Sequence, residues 1–362
     1  MPEKGTSELI AKTVLQIGEL DRAAMDAARH RQDRLTKPRG SLGILEELSV
    51  RIAGMRRGIV AELPQKLVVV MAADHGVVSE GVTLYPQEVT WQMVANFLNG
   101  GAAINVLAQM VGARVSVVDM GVIGDMPDHS CLVRRKVAAG TKDILRGPAM
   151  SRGQATRAIE AGIEVLESEL GGGVDILATG DMGIGNTTAS SAVCAALTGE
   201  RAELVTGRGT GLDDGQLAYK VEVVQRALEM NHPNPKDAID VLAKVGGFEI
   251  GGLAGVILGA AAQRVPVVID GFISGAAALI AVGLAPRAKQ YLVAGHLSAD
   301  RGHRVLLEYL GLTPLLSLEM RLGEGTGAVL AMTIVEAAVR TLARMTTFEE
   351  AGVSTSDREV GR

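Results

Sequence analysis

Five short apolar runs, spread from residue 67 to residue 294, each give way at the carboxyl end to glycine and a polar group. The endings are ADHG at Ala73–Gly76, VDMG at Val118–Gly121, TGDMG at Thr179–Gly183, IDG at Ile269–Gly271 and AGHLS at Ala294–Ser298. A continuous apolar run such as Leu67–Ala73, LVVVMAA, is what a strand buried on both faces requires. Arg114–Val118, Val174–Ala178, Pro266–Asp270 and Tyr291–Ala294 read as further strands. Helical stretches separate them, among them Trp91–Met110 (broken at Asn99–Gly101), Ser151–Leu170 and Leu253–Gln263. Strand alternating with helix at this spacing predicts an α/β fold with a parallel sheet. The ligand site of such a sheet lies beyond the carboxyl ends of its strands, where these polar endings collect.

Only 2% of the 362 residues are aromatic while 47% are hydrophobic, so the core must be Ala, Val, Leu, Ile and Met packed closely. Gly271–Pro286 is apolar but short and rich in Gly and Ala, which predicts a buried helix rather than a membrane span. Residues 1 to about 57 and Leu330–Ala343 read as helical, residues 124–147 as polar and irregular, and the tail from Gly352 as frayed. A net charge of −5 argues against a nucleic-acid partner. Cys131 and Cys194 lie far apart and form neither a metal nor a disulfide signature, which fits a reducing, cytoplasmic setting. The first ten residues lack the apolar core of a signal peptide.

Three glycine loops carry the chemistry. VDILATGDMGIGNTT, Val174–Thr188, reads as strand, glycine loop and helix start, an arrangement that binds anions through first-turn amides and the helix dipole. An ordinary βα turn would look the same, and Asn186, Thr187 and Thr188 are candidate caps. TGRGTGLDD, Thr206–Asp214, adds three glycines and two carboxylates that either hold Mg²⁺ with a diphosphate or cap the next helix. RLGEGTGA, Arg321–Ala328, follows a short apolar strand at Leu312–Leu316 and sets Glu324 between Gly323 and Gly325. A glutamate there has little to pack against, and loops on a rigid scaffold carry function.

Other chemistries fit less well. Asp74 and His75 are adjacent on an extended chain and point apart, so His75 is either a strand-end donor or a catalytic group. His296 and His303 are too scattered for a helical metal pair, and no metal site is expected. Lys37 and Arg39 in TKPRGSLG read as a solvated turn or a ligand contact. The Gly183–Gly185 loop lacks the third glycine of the dinucleotide fingerprint and follows a middle strand, against a nicotinamide-dependent dehydrogenase. A non-catalytic nucleotide-binding regulator on the same fold is the remaining rival.

Eight motifs together resemble the nicotinate-nucleotide–dimethylbenzimidazole phosphoribosyltransferase family. They are KPRGSLG (Lys37–Gly43), ADHGVVSEGVTLYPQEVT (Ala73–Thr90), NGGAAINVLA (Asn99–Ala108), GDMGIGNTT (Gly180–Thr188), TGRGTGLDD (Thr206–Asp214), PVVIDGFIS (Pro266–Ser274), AGHLSADRGH (Ala294–His303) and MRLGEGTGA (Met320–Ala328). The resemblance implies a Rossmann-like α/β catalytic domain over residues 58–329 and a smaller helical domain from residues 1–57 plus 330–362. It implies a homodimer that needs no cofactor and moves phosphoribose from nicotinate mononucleotide to 5,6-dimethylbenzimidazole, in assembly of the cobalamin nucleotide loop. Glu324 matches the general base, and Leu84, Tyr85 and Gln87 match the benzimidazole pocket. Met182, Gly183, Gly209, Gly211, Lys220 and Ser298 match the nucleotide and phosphate region. Asp181 stands where some members carry Glu; its carboxylate, one methylene shorter, is an accessory candidate.

Overall fold

A computed structural model describes residues 7–354 except 125, 127 and 210. Both ends of the predicted smaller domain, with most of the tail expected to fray, lie outside these residues. Six strands form one sheet in the order β3-β2-β1-β4-β5-β6. They are β1 (Lys66–Ala73), β2 (Ala113–Gly121), β3 (Leu132–Arg134), β4 (Ile176–Met182), β5 (Val267–Ile269) and β6 (Leu292–Ala294). Every pairing is parallel. The chain therefore runs outward from β1 through β2 to β3, returns to β4 on the other side of β1, and runs outward again. That reversal opens a crevice beyond the carboxyl ends of β1 and β4.

Two sequence readings need correction. The stretch 124–147 contains β3, an edge strand of three residues, too short and too mixed in character to stand out from its polar neighbours. Leu312–Leu316 is not a strand: it makes a single bridge, Leu316 to His296, and lies along the end of β6 through hydrogen bonds from Leu315 N–H to Ala294 and from Leu316 N–H to Gly295.

All eight residues of β1 are buried, as the run LVVVMAA demands. The helix Phe248–Ala262 covers β1, β2 and β4 and packs on the helix Arg152–Glu169. Glycines bring these two helices unusually close. A Cβ on Gly255 would collide with the Ile159 carbonyl, and one on Gly162 with the Gly252 carbonyl. Gly255→Ala gains up to about 1 kcal/mol in helix propensity, but a backbone collision cannot be relieved by a rotamer change. Overpacking costs about 1–3 kcal/mol, so Gly255→Ala should melt below the wild type in a circular-dichroism scan. An unchanged or raised Tm would contradict the close packing.

The apolar stretch Val89–Val111 is divided into the helices Val89–Leu98 and Ala103–Val111, of 10 and 9 residues. Each falls short of the ~20 residues that span a bilayer.

The chain divides into two compact units, residues up to Gly18 with Gln65–Ala331, and Glu19–Pro64 with the residues from Met332 onward. Residues 7–18, assigned from sequence to the smaller unit, group with the larger one. The helix Glu8–Gln16 packs on Arg152–Glu169 and Phe248–Ala262 through the buried Ile10, and the Tyr291 hydroxyl donates to the Gly18 carbonyl at 2.9 Å. In the smaller unit Ala28, Val50, Ala53 and Leu342 form a core cluster. Arg31 donates to the carbonyls of Leu342, Ala343 and Met345, satisfying the open end of the helix Thr326–Arg344 with a cation where the dipole favours one. Lys37 is buried, and its ammonium donates to Glu46 at 2.7 Å, so it is no solvated turn residue; Arg39 is exposed.

Candidate active site

The loop after β4 is built by close backbone approach. A Cβ on Gly183 would collide with the Ala73 carbonyl at the end of β1, and one on Gly180 with the Glu324 carbonyl. Gly185 (φ 91°) turns the chain into the helix Asn186–Thr198. No side chain caps this helix, so the predicted caps find other partners. Asn186 Nδ2 donates to Asp181 at 3.0 Å, Thr187 Oγ1 accepts from Lys220 at 2.8 Å, and Thr188 Oγ1 is buried without a partner among the described residues. A cap must reach back to the amides of its own first turn, and these side chains already lie inside that turn. The start of the helix thus has no side-chain cap, while Asn186 and Thr188 N–H donate to the Gly183 and Gly185 carbonyls at 3.1 and 3.0 Å and Ile184 N–H donates to Thr90 Oγ1 at 3.1 Å.

Gly323, Glu324 and Gly325 form a left-handed run, with φ of 85°, 63° and 92°. Glycine adopts this freely, whereas Glu324 is held there against its preference, a strain that functional sites tolerate when the surroundings fix the backbone. Three contacts fix it. Glu324 N–H donates to the Asp181 carbonyl at 3.2 Å, and Gly325 N–H and Ala328 N–H donate to the Asp270 carboxylate at 3.3 and 2.8 Å. The Glu324 carboxyl is buried and accepts from Ile104 N–H at 3.2 Å, at the start of the helix Ala103–Val111. Burial raises its pKa, and the Ile104 hydrogen bond opposes the rise.

Asp181, Glu324 and Asp270 lie close together. Burial, then the charges of Asp270 and Glu249, hold Asp181 well above the usual carboxylate range, against the pull of Asn186. Burial pushes Asp270 up to about 7, although backbone N–H groups favour its charged form. Burial thus raises all three carboxyls, opposed at Glu324 by the Ile104 amide and at Asp270 by backbone amides around the start of the helix Thr326–Arg344.

A cavity of about 330 Å³ opens between the glycine loops. Glu324, Asp181, Met182, Gly183, Gly209, Ser298 and Tyr85 all line it, so seven predicted residues meet at one place. The other four do not line it. Leu84 is 52% exposed; Tyr85, which does border the cavity, is 49% exposed. Gln87 instead donates to the His75 carbonyl at 3.4 Å. Lys220 lies behind the wall, 1% exposed, with its ammonium donating to Thr187 and lying beside Gly209, both of which border the cavity. Gly211 lines a neighbouring chamber of about 310 Å³ with Arg208, Arg301 and Arg321. Gly209, Asp300 and Arg321 border both spaces.

Asp213 caps the helix Asp214–Asn231 through Gln216 N–H, and Asp214 pairs with Arg208. His303 accepts from Ser298 N–H at 3.0 Å and is pushed down to about 3 by burial. Among the described residues no group of three or more His, Cys, Asp and Glu side chains is arranged to hold a metal. Sequence reasoning missed Ile104, Asp270 and Arg321 as site residues, although all three fall in or beside quoted motifs. Asp-Gly after an apolar run was the signal for Asp270.

A doubly wound parallel sheet, with glycine loops and one strained glutamate at its reversal point, defines a class of α/β enzymes that handle nucleotides. Within that class, a phosphoribosyltransferase family model matches residues 17–353. The nicotinate-nucleotide–dimethylbenzimidazole phosphoribosyltransferase of Desulforudis audaxviator is 63% identical over 347 residues, covering 96% of this chain and 98% of its own. The enzyme of that name from Chloroflexus aggregans is 62% identical over 346 residues, with 96% and 98% coverage. The crystal structure of the Thermus thermophilus enzyme of that name superposes with a TM-score of 0.89 at 49% identity, covering 93% of this chain and all of its own. The chain belongs to the nicotinate-nucleotide–dimethylbenzimidazole phosphoribosyltransferase family.

Proposed function

We propose that this enzyme transfers the phosphoribosyl group of nicotinate mononucleotide to 5,6-dimethylbenzimidazole, giving α-ribazole 5′-phosphate and nicotinate. The observation that carries the reading is Glu324, a strained, buried carboxyl set in the same cavity as a helix start that no side chain caps. One benzimidazole nitrogen attacks C1′ while the C1′–pyridinium bond breaks, and that bond's electrons neutralise the departing ring nitrogen. No general acid is needed. The N–H proton on the other benzimidazole nitrogen becomes acidic and passes to Glu324. Attack opposite the leaving group converts a β-riboside into an α-riboside. Tyr85, Val89 and Met93 give the cavity an apolar wall suited to a flat base. Incubation with both substrates and mass analysis of the products tests the reading; binding without turnover would favour a regulator.

The phosphate sits, on this reading, at the Gly183 loop, with Ser298 beside it and Lys220 behind it. Burial lowers Lys220 to about 8, against the pull of Asp300. Lys220 is therefore charged below that pH and neutral above it. Lys220→Ala should raise KM for nicotinate mononucleotide about tenfold or more, the loss of a hydrogen-bonded charge, and leave the benzimidazole KM near wild type. In the wild type, kcat/KM for the nucleotide should fall as pH rises through about 8, a limb absent from the variant. Equal effects on both substrates would remove the assignment.

The same reading makes the enzyme a cytoplasmic homodimer without nucleic-acid or membrane partners. Trp91, Val106 and Met110 supply apolar surface on the helices Val89–Leu98 and Ala103–Val111, and Cys131 and Cys194 are unpaired. Light scattering that returns a monomer mass would overturn the dimer.

A further inference from the structure

His75 and Glu249 form an ion pair that the reaction does not use. The His75 Nε2–Glu249 Oε1 distance is 2.6 Å, and the side chains are 1% and 0% exposed. Burying two charges costs several kcal/mol, and apolar residues of similar volume often stabilise a fold as well or better. Stability alone therefore gives no reason for this pair. Its location does. His75 follows β1 directly, at the sheet's reversal point, and Glu249 lies in the first turn of the helix Phe248–Ala262, which covers the sheet.

The Gly183–Gly185 loop lies beside His75, separated from it by about the space of one methyl group. A Cβ on Gly183 would stand 3.5 Å from the imidazole carbon Cδ2, and one on Gly185 would stand 3.3 Å from His75 Cβ. On the far side, a Cβ on Gly247 would collide with the ring at Cε1. The imidazole is thus clamped between two glycine segments, and Glu249 fixes its rotation about the ring axis. The His75 carbonyl accepts from Gln87, tying the 83–87 loop to the same residue. A turn of the ring would open or fill that narrow space and let the loop settle at a different height, because neither glycine has a side chain to hold it.

We infer that His75, held by Glu249, is a positioning residue for the phosphate end of the site, setting the Gly183–Gly185 loop at the height at which its helix start meets the 5′-phosphate. This rests on the proposed reaction only in naming the nucleotide as the anion bound there.

The test measures affinity apart from turnover. Calorimetric Kd values for nicotinate mononucleotide and dimethylbenzimidazole are compared in wild type, Glu249→Gln, His75→Gln and the apolar double variant His75→Met with Glu249→Leu. Glu249→Gln keeps size and a hydrogen-bond acceptor, and the apolar pair removes the buried charge, so folding is retained in at least one of them. Misplacing a contact by about 1 Å costs up to about a hundredfold. The nucleotide Kd should therefore rise about ten- to a hundredfold in every folded variant, with the base Kd within about twofold and kcat largely recovered at saturating nucleotide. The apolar pair is decisive. A pair with a merely structural role would be replaced by it without loss of nucleotide affinity, and that result overturns the inference. So would equal weakening of both ligands. Wild-type protein that binds the nucleotide but yields no α-ribazole phosphate would sink the functional reading and leave the Kd comparison to judge His75.

Discussion

Glu324→Gln should lower kcat by about 10²–10⁴-fold, the usual span for losing a general base, with both substrates still bound. The amide keeps the shape of the side chain and can still accept from Ile104 N–H, but it cannot take the benzimidazole proton. Burial raises the Glu324 pKa, which makes the carboxylate a stronger base than one in water. Below its pKa the wild type should lose kcat/KM as Glu324 becomes protonated, and rate should return as pH rises. The Gln variant should lack that acidic limb. Near-normal kcat at saturating substrates would make Glu324 a positioning group, and the base would then be sought at Asp181.

Gly180→Ala is expected to be nearly as damaging, although residue 180 need touch no substrate. In β4, Gly180 lies opposite Val70 of β1, in the interior of the sheet. A Cβ there would collide with the Glu324 carbonyl oxygen and stand 2.6 Å from the carbonyl carbon and 2.9 Å from Gly325 N. All three atoms are backbone, so no rotamer change relieves the clash. Either β4 or the left-handed Gly323–Gly325 turn must move, and the turn, held by Asp270 and Asp181, carries Glu324. A shift of about 1 Å at the carboxylate would cost about a hundredfold in kcat, with about 1–3 kcal/mol of stability lost to overpacking. Measuring kcat at a temperature where circular dichroism shows the variant folded separates the two effects. Wild-type kcat in a folded Gly180→Ala protein would show that the turn does not depend on close approach of β4.

Much of this arrangement is legible in the chain because its physics is local. Leu67–Ala73 has no polar residue to offer water, so it must be an interior strand, and the glycine and carboxylate after it must lie at the rim. Glu324 between two glycines reads as a loop residue with little to pack against, which marks it from the residues alone. The resemblance to a known family, carried by long ordered motifs, then supplied roles for residues that local physics marks only as a site.

Errors arose where a residue's fate depends on what comes from elsewhere. β3 has three residues and owes its place to pairing with β2. Residues 7–18 look like any amphipathic helix, and only the faces of Arg152–Glu169 and Phe248–Ala262 decide which unit takes them. Leu84 and Tyr85 are neighbours exposed to a similar degree, yet only Tyr85 borders the cavity, a choice made by the direction of the loop.

The sequence by itself determined the parallel sheet, the edge where its polar loops gather, and Glu324 as a glycine-bracketed loop residue, because strand burial and glycine loops are written in contiguous residues. Tertiary structure alone decided that Ile104, 220 residues before Glu324, would hold its carboxyl, that Asp270 would pin its turn, and that His75 would meet Glu249 beneath the glycine loop. Those contacts join segments that have no common pattern in the chain. They exist only because the sheet reverses direction between β1 and β4 and brings the segments to one edge.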